Sequence, residues 1–61
     1  NIYVLDGSLL YIKGDELLVT DEFNIEQGAA LVSSMLDLKT KQLINNGLII
    51  FRSGSQLLVF E

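Results

Sequence analysis

A short motif that recurs three times along the chain constrains its fold more than any other feature. Each copy has an aliphatic residue, a polar residue followed by glycine, and a second aliphatic residue three positions after the glycine. The three glycines are Gly7, Gly28 and Gly47, which lie 21 and 19 residues apart. This period is too short for two helices and a turn, which need about 33 residues. It fits one coil of a β-solenoid, in which short strands stack on the coils above and below.

The spacing of apolar residues supports this interpretation. Laying residues 16–34 on 35–53 without gaps pairs Leu17 with Leu36, although some apolar positions remain unmatched. The predicted strands are apolar or β-branched segments bounded by Gly, Asp, Asn or Ser, as strands and turns require. They are Leu9–Ile12, Leu17–Thr20, Phe23–Ile25, Ala30–Val32, Leu36–Lys39, Leu43–Ile44, Leu48–Phe51 and Leu57–Phe60.

Each coil is predicted to turn at the glycine of its motif. Glycine supplies a positive φ without Cβ strain, and Asp or Asn before it satisfies its own turn backbone. Stacking would place the turns at Asp6-Gly7, Gln27-Gly28 and Asn46-Gly47 in a polar ladder at one corner. The predicted fold is therefore all-β, a β-solenoid of about three coils.

Two other folds remain open. The first is an α+β meander with one helix near 25–45, because Asn24 with Gln27 resembles a capping box and Asn46-Gly47 resembles a helix stop. Glycine, serine and threonine inside that segment, and an alternating Leu-Asp-Leu-Lys run, disfavour the helix. The second is a leucine-rich repeat over 36–43, where Lys41 stands at the position of the expected Asn.

The composition excludes several classes of function. The chain has 61 residues and no Cys, His or Pro, so disulfides, thiolate or imidazole metal sites and a nucleophile–His couple are ruled out. Four basic residues against eight acidic ones, a net charge of −4, disfavour nucleic acid as a partner. The longest apolar run, Leu48–Phe51, is far below the roughly 20 residues of a membrane span. Neither a cofactor nor a catalytic residue is predicted.

Three segments resemble right-handed β-solenoid coils of secreted and surface proteins. Gly28–Val32, Ile44–Ile50 and Ser53–Val59 are similar to coils of haemagglutinin-repeat adhesins, pectate-lyase-like β-helices and phage tailspikes. The resemblance implies a fold and an extracellular, surface or virion location, and no activity. The chain departs from the common pattern by using Leu-Leu where such coils carry Thr-Leu. With only Thr20 and Thr40 present, no ice-binding face is expected.

An acidic cluster is the one chemically suggestive group in the sequence. Resemblance to pectate-lyase-like proteins implies that such carboxylates could hold Ca²⁺ or flank a glycosidic bond, but no calcium-loop spacing is present. The alternative is a solvated acidic edge, with Glu22 stacked over Lys41 as a cross-strand pair. The cluster consists of Asp15, Glu16, Asp21, Glu22 and Glu26.

Two further sets of side chains have groups that could carry chemistry. Four serines, Ser33, Ser34, Ser53 and Ser55, lack the histidine that would activate a nucleophile. The aromatic residues could stack on sugar rings, although such residues more often fill or flank a core. They are Tyr3, Tyr11, Phe23, Phe51 and Phe60.

The distribution of charge predicts association. Residues 1–30 carry six acidic residues and one basic residue, whereas residues 31–61 carry two acidic and three basic ones. In a solenoid this makes one end acidic and the other mildly basic, which favours head-to-tail contact with another copy or with flanking coils. We therefore expect residues 1–61 to form a single module, a fragment or repeat segment of a longer or oligomeric assembly.

The predicted function is structural and non-catalytic: a self-associating segment of a surface or virion fibre or adhesin. One alternative is a fragment of a carbohydrate-binding or carbohydrate-active β-helix, in which acidic or aromatic residues form a stripe on one outer face. Another is an amyloid-like solenoid assembly, because uncapped strand edges template further pairing.

Overall fold

The protein is described by a computed structural model that covers residues 1–60. These residues form five β-strands and no helix, and therefore no helix able to cross a membrane. The strands make one curled parallel sheet within a flat body of 26 × 26 × 12 Å. They are β1 (Ile2–Val4), β2 (Leu9–Ile25), β3 (Ala30–Asn45), β4 (Leu48–Phe51) and β5 (Leu57–Val59).

Strand pairing follows chain order, and every pair is parallel. β1 pairs with β2, β2 with β3, and β3 with both β4 and β5. Parallel neighbours need a long connection that returns the chain to the start of the first strand. Only residues 26–29 separate β2 from β3. The return is therefore made by β2 itself, which curls until its end lies near its beginning.

The burial pattern locates the bends of the two long strands. In β2 the inward-facing positions change phase at residues 15–16, and their alternation is interrupted at 20–21, where two consecutive residues are exposed. In β3 they change phase at 36–37 and 41–42. Strict alternation would keep one face of a flat strand buried. Each change of phase lets the strand turn a corner while the same face of the sheet stays inside. A register shift between Val19 and Glu22 marks one corner as a β-bulge.

The core lies inside the curl and is most complete at its middle layer. In β3, Leu31, Ser33, Met35, Leu38 and Thr40 all face inward and are buried. Their partners in β2 and in β4 and β5 are mostly only half-buried, because each is covered on one side alone. These half-buried residues include Leu10, Ile12, Leu17, Ile49 and Leu57.

The three glycine turns lie at the predicted positions and stack on one another. The Gly7 amide donates to the Gly28 carbonyl at 3.1 Å, and the Leu48 amide donates to the Ala29 carbonyl at 3.1 Å. Gly7 and Gly28 have φ values of 82° and 84°, as expected for these turns. Gly47 does not have a positive φ, so that part of the prediction is wrong. A Cβ on Gly47 would instead overlap the carbonyl oxygens of Glu26 and Ala29.

Two expectations from the sequence are corrected by the fold. The helix near 25–45 is wrong, because β3 occupies most of that segment and its alternating side chains pack as a strand. The gapless alignment of residues 16–34 on 35–53, at an offset of 19 residues, is also wrong as a register for β2 and β3. Leu17 pairs with Leu38 rather than Leu36, at an offset of 21 residues. The offset falls to 20 after the bulge and to 18 in β4, because the turn before β4 is two residues shorter than the turn before β3.

Candidate functional site

The two ends of the curled sheet are formed by strand edges that lack a paired neighbour among the described residues. At one end, residues 9–20 of β2 have no strand paired on the side away from β3, within the part of the chain that the structure describes. At the other end, β4 and β5 have no strand beyond them among residues 1–60. Unpaired N–H and C=O groups along such edges can accept a further strand. We call these the β2 edge and the β4/β5 edge.

Both edges also carry exposed apolar side chains beside their unpaired backbone groups. On the β2 edge, Leu9 is 69% exposed and Leu18 is 53% exposed. On the β4/β5 edge, Leu48 and Leu58 are each 55% exposed, and Phe51 is largely exposed although it occupies an inward position beside Ser33. Exposed apolar groups next to an unpaired edge favour association over solvation.

An open groove of about 450 Å³ interrupts the β2 edge at its first corner. It forms where Gly14, paired with Met35, contributes no side chain to the interior. A Cβ at Gly14 would lie 3.6 Å from the Met35 sulfur, an ordinary van der Waals distance. The groove therefore has space for a small side chain beside Met35. Apolar and polar residues share its walls: Tyr11, Ile12, Asp15, Glu16, Leu17 and Met35.

The acidic cluster does not converge on one point. Glu16 lies 3.6 Å from the Lys39 ammonium group, and Glu22 accepts a hydrogen bond from the Asn24 side chain at 3.2 Å. Glu26 accepts from the Asp6 backbone amide at 3.1 Å, across the stacked turns. Within residues 1–60, no three acidic side chains come close enough to hold a metal ion.

The predicted pair of Glu22 with Lys41 is wrong. Glu22 lies opposite Gln42, because the bulge at the second corner shifts the register there. Lys39 makes the ion pair of this region instead, with Glu16 of the neighbouring strand. Both side chains are substantially exposed, at 39% and 62%, so the pair contributes well under 1 kcal/mol.

Three of the four serines singled out in the sequence make side-chain hydrogen bonds within the described residues. Ser33 is fully buried, and its hydroxyl accepts a hydrogen bond from the Met35 amide at 3.3 Å. The Ser55 hydroxyl donates to the Ser33 carbonyl at 2.8 Å. Ser34 and Tyr11 share a hydrogen bond of 3.2 Å on the outer face.

Thr40 is a buried polar residue that sequence reasoning missed as a structural element. Its hydroxyl donates to the Gln42 carbonyl at 3.0 Å, beside the second corner of β3. Across residues 1–60, every buried side-chain nitrogen or oxygen atom has a hydrogen-bond partner. A signal was present in the sequence, since a lone Thr between two Lys residues interrupts the apolar pattern.

The outward-facing side chains stack in columns that the register defines. One column contains Leu9, Ala30 and Leu48, and the next contains Tyr11, Val32 and Ile50. A third, on another side, contains Leu18, Lys39 and Leu58. Tyr3 pairs with Asn24 and lies in a different column from Tyr11, whereas Phe23 is fully buried. The aromatic residues therefore form no continuous stripe among the described residues.

No family model, curated protein or solved structure matches this chain at a significant level. The function is therefore inferred from the geometry of the two edges, the groove and the outer columns.

Proposed function

We propose that the chain is a structural β-solenoid segment of about three coils that self-associates through its ends and performs no catalysis. Such a segment would serve a fibre or adhesin at a cell surface or on a virion. The observation that carries this proposal is the layering of the core: inward side chains of β3 from Leu31 to Thr40 are buried, whereas most of their partners in β2, β4 and β5 are half-buried or exposed and lie at free strand edges.

The register supports the solenoid interpretation. Inward residues align in columns such as Leu10, Leu31 and Ile49, or Leu17, Leu38 and Leu57. Each column advances by one strand spacing for every 18–21 residues of sequence. A body 12 Å thick accommodates about three layers at the roughly 4.8 Å spacing of paired strands. A repeat architecture of this kind buries its end layers only when further coils or caps cover them.

The outer columns favour a scaffold over a sugar-binding surface. A carbohydrate site on a solenoid would present a stripe of aromatic or acidic residues along one face. Here one column is aliphatic, as for Leu9 and Leu48, and another combines apolar and basic residues, as for Leu18 and Lys39. The acidic pair of Glu16 and Asp37 spans only two strands. The ion pair between Lys39 and Glu16 further neutralises the acidic side of β2.

The test is to measure circular dichroism and light scattering on the same samples over a range of protein concentrations. We expect a strand-dominated spectrum without helix, and an average mass that rises above 6.8 kDa as concentration increases. A helix-rich spectrum would contradict the fold. A mass that stays at the monomer value up to millimolar concentration would contradict self-association.

One observation favours a second candidate, the binding of a neutral oligosaccharide. Tyr11 lines the groove together with Asp15 and Glu16, which supplies an aromatic platform beside two hydrogen-bond acceptors. Titration with cellohexaose, monitored by isothermal titration calorimetry, tests this candidate. Binding that Tyr11→Ala abolishes and Tyr3→Ala retains would favour it, since the two tyrosines are equally exposed, at 51% and 52%. Equal signals from both variants would exclude the groove as the site.

A further inference from the structure

We infer that the β4/β5 edge of one copy binds the β2 edge of a second copy, head to tail and in a defined register. This inference rests on the proposed self-association and adds its partner and its geometry. In that register, Leu9 of the second copy lies directly beyond Leu48, as the next member of the column that already contains Leu9, Ala30 and Leu48.

The register follows from the columns themselves. Ala30 pairs with Leu9 on one side and with Leu48 on the other, so Leu48 and Leu9 occupy the same place around the curl. Leu38 relates Leu17 and Leu57 in the same way. A second copy stacked coaxially without rotation therefore continues every column, and its β2 pairs parallel to β4 and β5.

This stacking matches apolar residues with apolar residues at every strand position. Facing inward, four residues of the first copy meet apolar residues of the second: Ile49 meets Leu10, Phe51 meets Ile12, Leu57 meets Leu17, and Val59 meets Val19. Facing outward, Leu48 meets Leu9, Ile50 meets Tyr11, and Leu58 meets Leu18. Burial of these half-exposed groups together with new backbone hydrogen bonds drives the contact.

Charge favours head-to-tail contact over head-to-head contact. The half of the chain that contains the β2 edge carries six acidic residues and one basic one, whereas the other half carries two acidic and three basic ones. Two β2 edges facing each other would bring like charges together, which destabilises the pair. Head-to-tail stacking joins opposite ends, although it places the exposed Arg52 near Lys13 of the second copy.

The groove and the turn after β4 occupy matching places at the two ends. The groove lies beyond Met35 on the β2 side, where Gly14 leaves space. The turn 52–55 lies beyond Met35 on the other side, where the Arg52 amide donates to the Ser33 carbonyl and the Gln56 amide donates to the Met35 carbonyl. In the stack, the turn of the first copy therefore covers the groove of the second, which explains why the β2 edge is open at that point.

Disulfide crosslinking tests the register, because the chain contains no Cys. The Leu9→Cys/Leu48→Cys double variant places the Cα atoms of the two cysteines about 4.8 Å apart between stacked copies, within the Cα–Cα range of a disulfide. Inside one copy the two positions are separated by the Ala30 strand, at about 9.6 Å, which is too far for a disulfide. Mild oxidation should therefore give a ladder of covalent trimers, tetramers and longer species on a non-reducing gel.

The matched control is Leu9→Cys/Leu58→Cys, since Leu58 has the same 55% exposure as Leu48 and lies on the same edge but in another column. We expect several-fold less of the ladder from this variant, and only dimers from each single-Cys variant. Equal ladders from both double variants, or dimers of Leu9→Cys as abundant as the ladder, would overturn the register.

Light scattering on the unmodified protein separates a failure of self-association from a failure of the register alone. Monomers throughout would contradict the proposed function, whereas association without a ladder would contradict only the register. Two introduced charges, one on each edge, give an independent check if the cysteine variants fold poorly. Leu48→Lys alone should weaken association, and Leu9→Glu/Leu48→Lys should restore it in low salt. Failure of the double variant to restore association would also overturn the register.

Discussion

Replacing Gly47 by alanine should strongly destabilise the protein, because the site has no room for a Cβ and not because of its backbone angle. Gly47 does not have a positive φ, so alanine is compatible with its backbone conformation. The added Cβ would nevertheless lie 2.9 Å from Cγ2 of Ile25 and overlap the carbonyl oxygens of Glu26 and Ala29. The Ala29 carbonyl also accepts the Leu48 amide at 3.1 Å, so moving it disrupts the stacking of the turns.

The expected loss in the free energy of unfolding is about 3 kcal/mol. Overpacking a tight site costs about 1–3 kcal/mol, and each weakened backbone hydrogen bond adds about 1 kcal/mol. A domain of this size has a total stability of only about 3–5 kcal/mol. The loss should therefore be visible as a strongly reduced urea midpoint in circular dichroism, measured at one low protein concentration so that association does not contribute.

Gly54 is the matched control, because the backbone angle disfavours a side chain there although space is available, whereas at Gly47 space is lacking and the backbone angle is permissive. It has a φ of 84°, and a Cβ added there would meet nothing within 4 Å. Gly54→Ala should cost about 1 kcal/mol through backbone strain, and Gly54→Asn should cost less, since Asn tolerates this conformation. At Gly47, Asn should be at least as damaging as Ala. Equal losses for Gly47→Ala and Gly54→Ala, or a Gly47→Ala change below about 0.5 kcal/mol, would refute the steric argument.

Three further comparisons test the core and the surface by urea unfolding. Leu31→Ala should cost about 2–4 kcal/mol, because Leu31 is buried in the middle layer, whereas Leu9→Ala should change the stability of the monomer by less than about 0.5 kcal/mol. Thr40→Val should cost about 1–2 kcal/mol by leaving the Gln42 carbonyl without its hydroxyl donor, and a neutral result would contradict the assigned bond. A double-mutant cycle of Glu16→Gln with Lys39→Gln should give a coupling below about 0.5 kcal/mol that vanishes in high salt.

Strand positions and turns could be predicted because they depend on local chemistry. The segments Leu48–Phe51 and Ala30–Val32 are apolar and bounded by turn residues, and both lie in strands of the structure. The motif also locates the glycine turns. What local patterns do not contain is the joining of three predicted segments into the single strand Leu9–Ile25, because a bend inside a strand leaves its hydrogen bonds to the neighbouring strand in place.

The register is harder to predict, because each bulge and each change in turn length shifts the pairing of all residues that follow it. One bulged residue near Val19 and a turn shortened by two residues before Leu48 change the offset from 21 to 18 residues. Neither event has a strong sequence signal, and a gapless alignment averages them to 19. The buried positions of Ser33 and Thr40 escape prediction for a related reason. Their hydroxyl groups bond backbone atoms next to the bends, which become visible only once the curl is known.

The groove and the free edges are properties of the assembled layers rather than of any motif. Gly14 gives no signal of its own in the sequence, because a lone glycine among polar residues is typical of a loop. In the fold it lies within β2, opposite Met35, and opens the β2 edge. The acidic residues around it suggest a binding cluster, but bends in β2 spread their carboxylates over different sides of the body.

The order of strand pairing also sets the order in which the chain can fold. Every pairing joins residues 18–21 positions apart, about a third of the chain, so no layer forms from neighbours in sequence. β3 is the one described strand that contacts β2, β4 and β5, which makes it the template for both sides. Once β2 and β3 have paired, each later segment adds to an existing edge at little further entropic cost. Assembly of copies would then continue the same zipper-like growth from one molecule into the next.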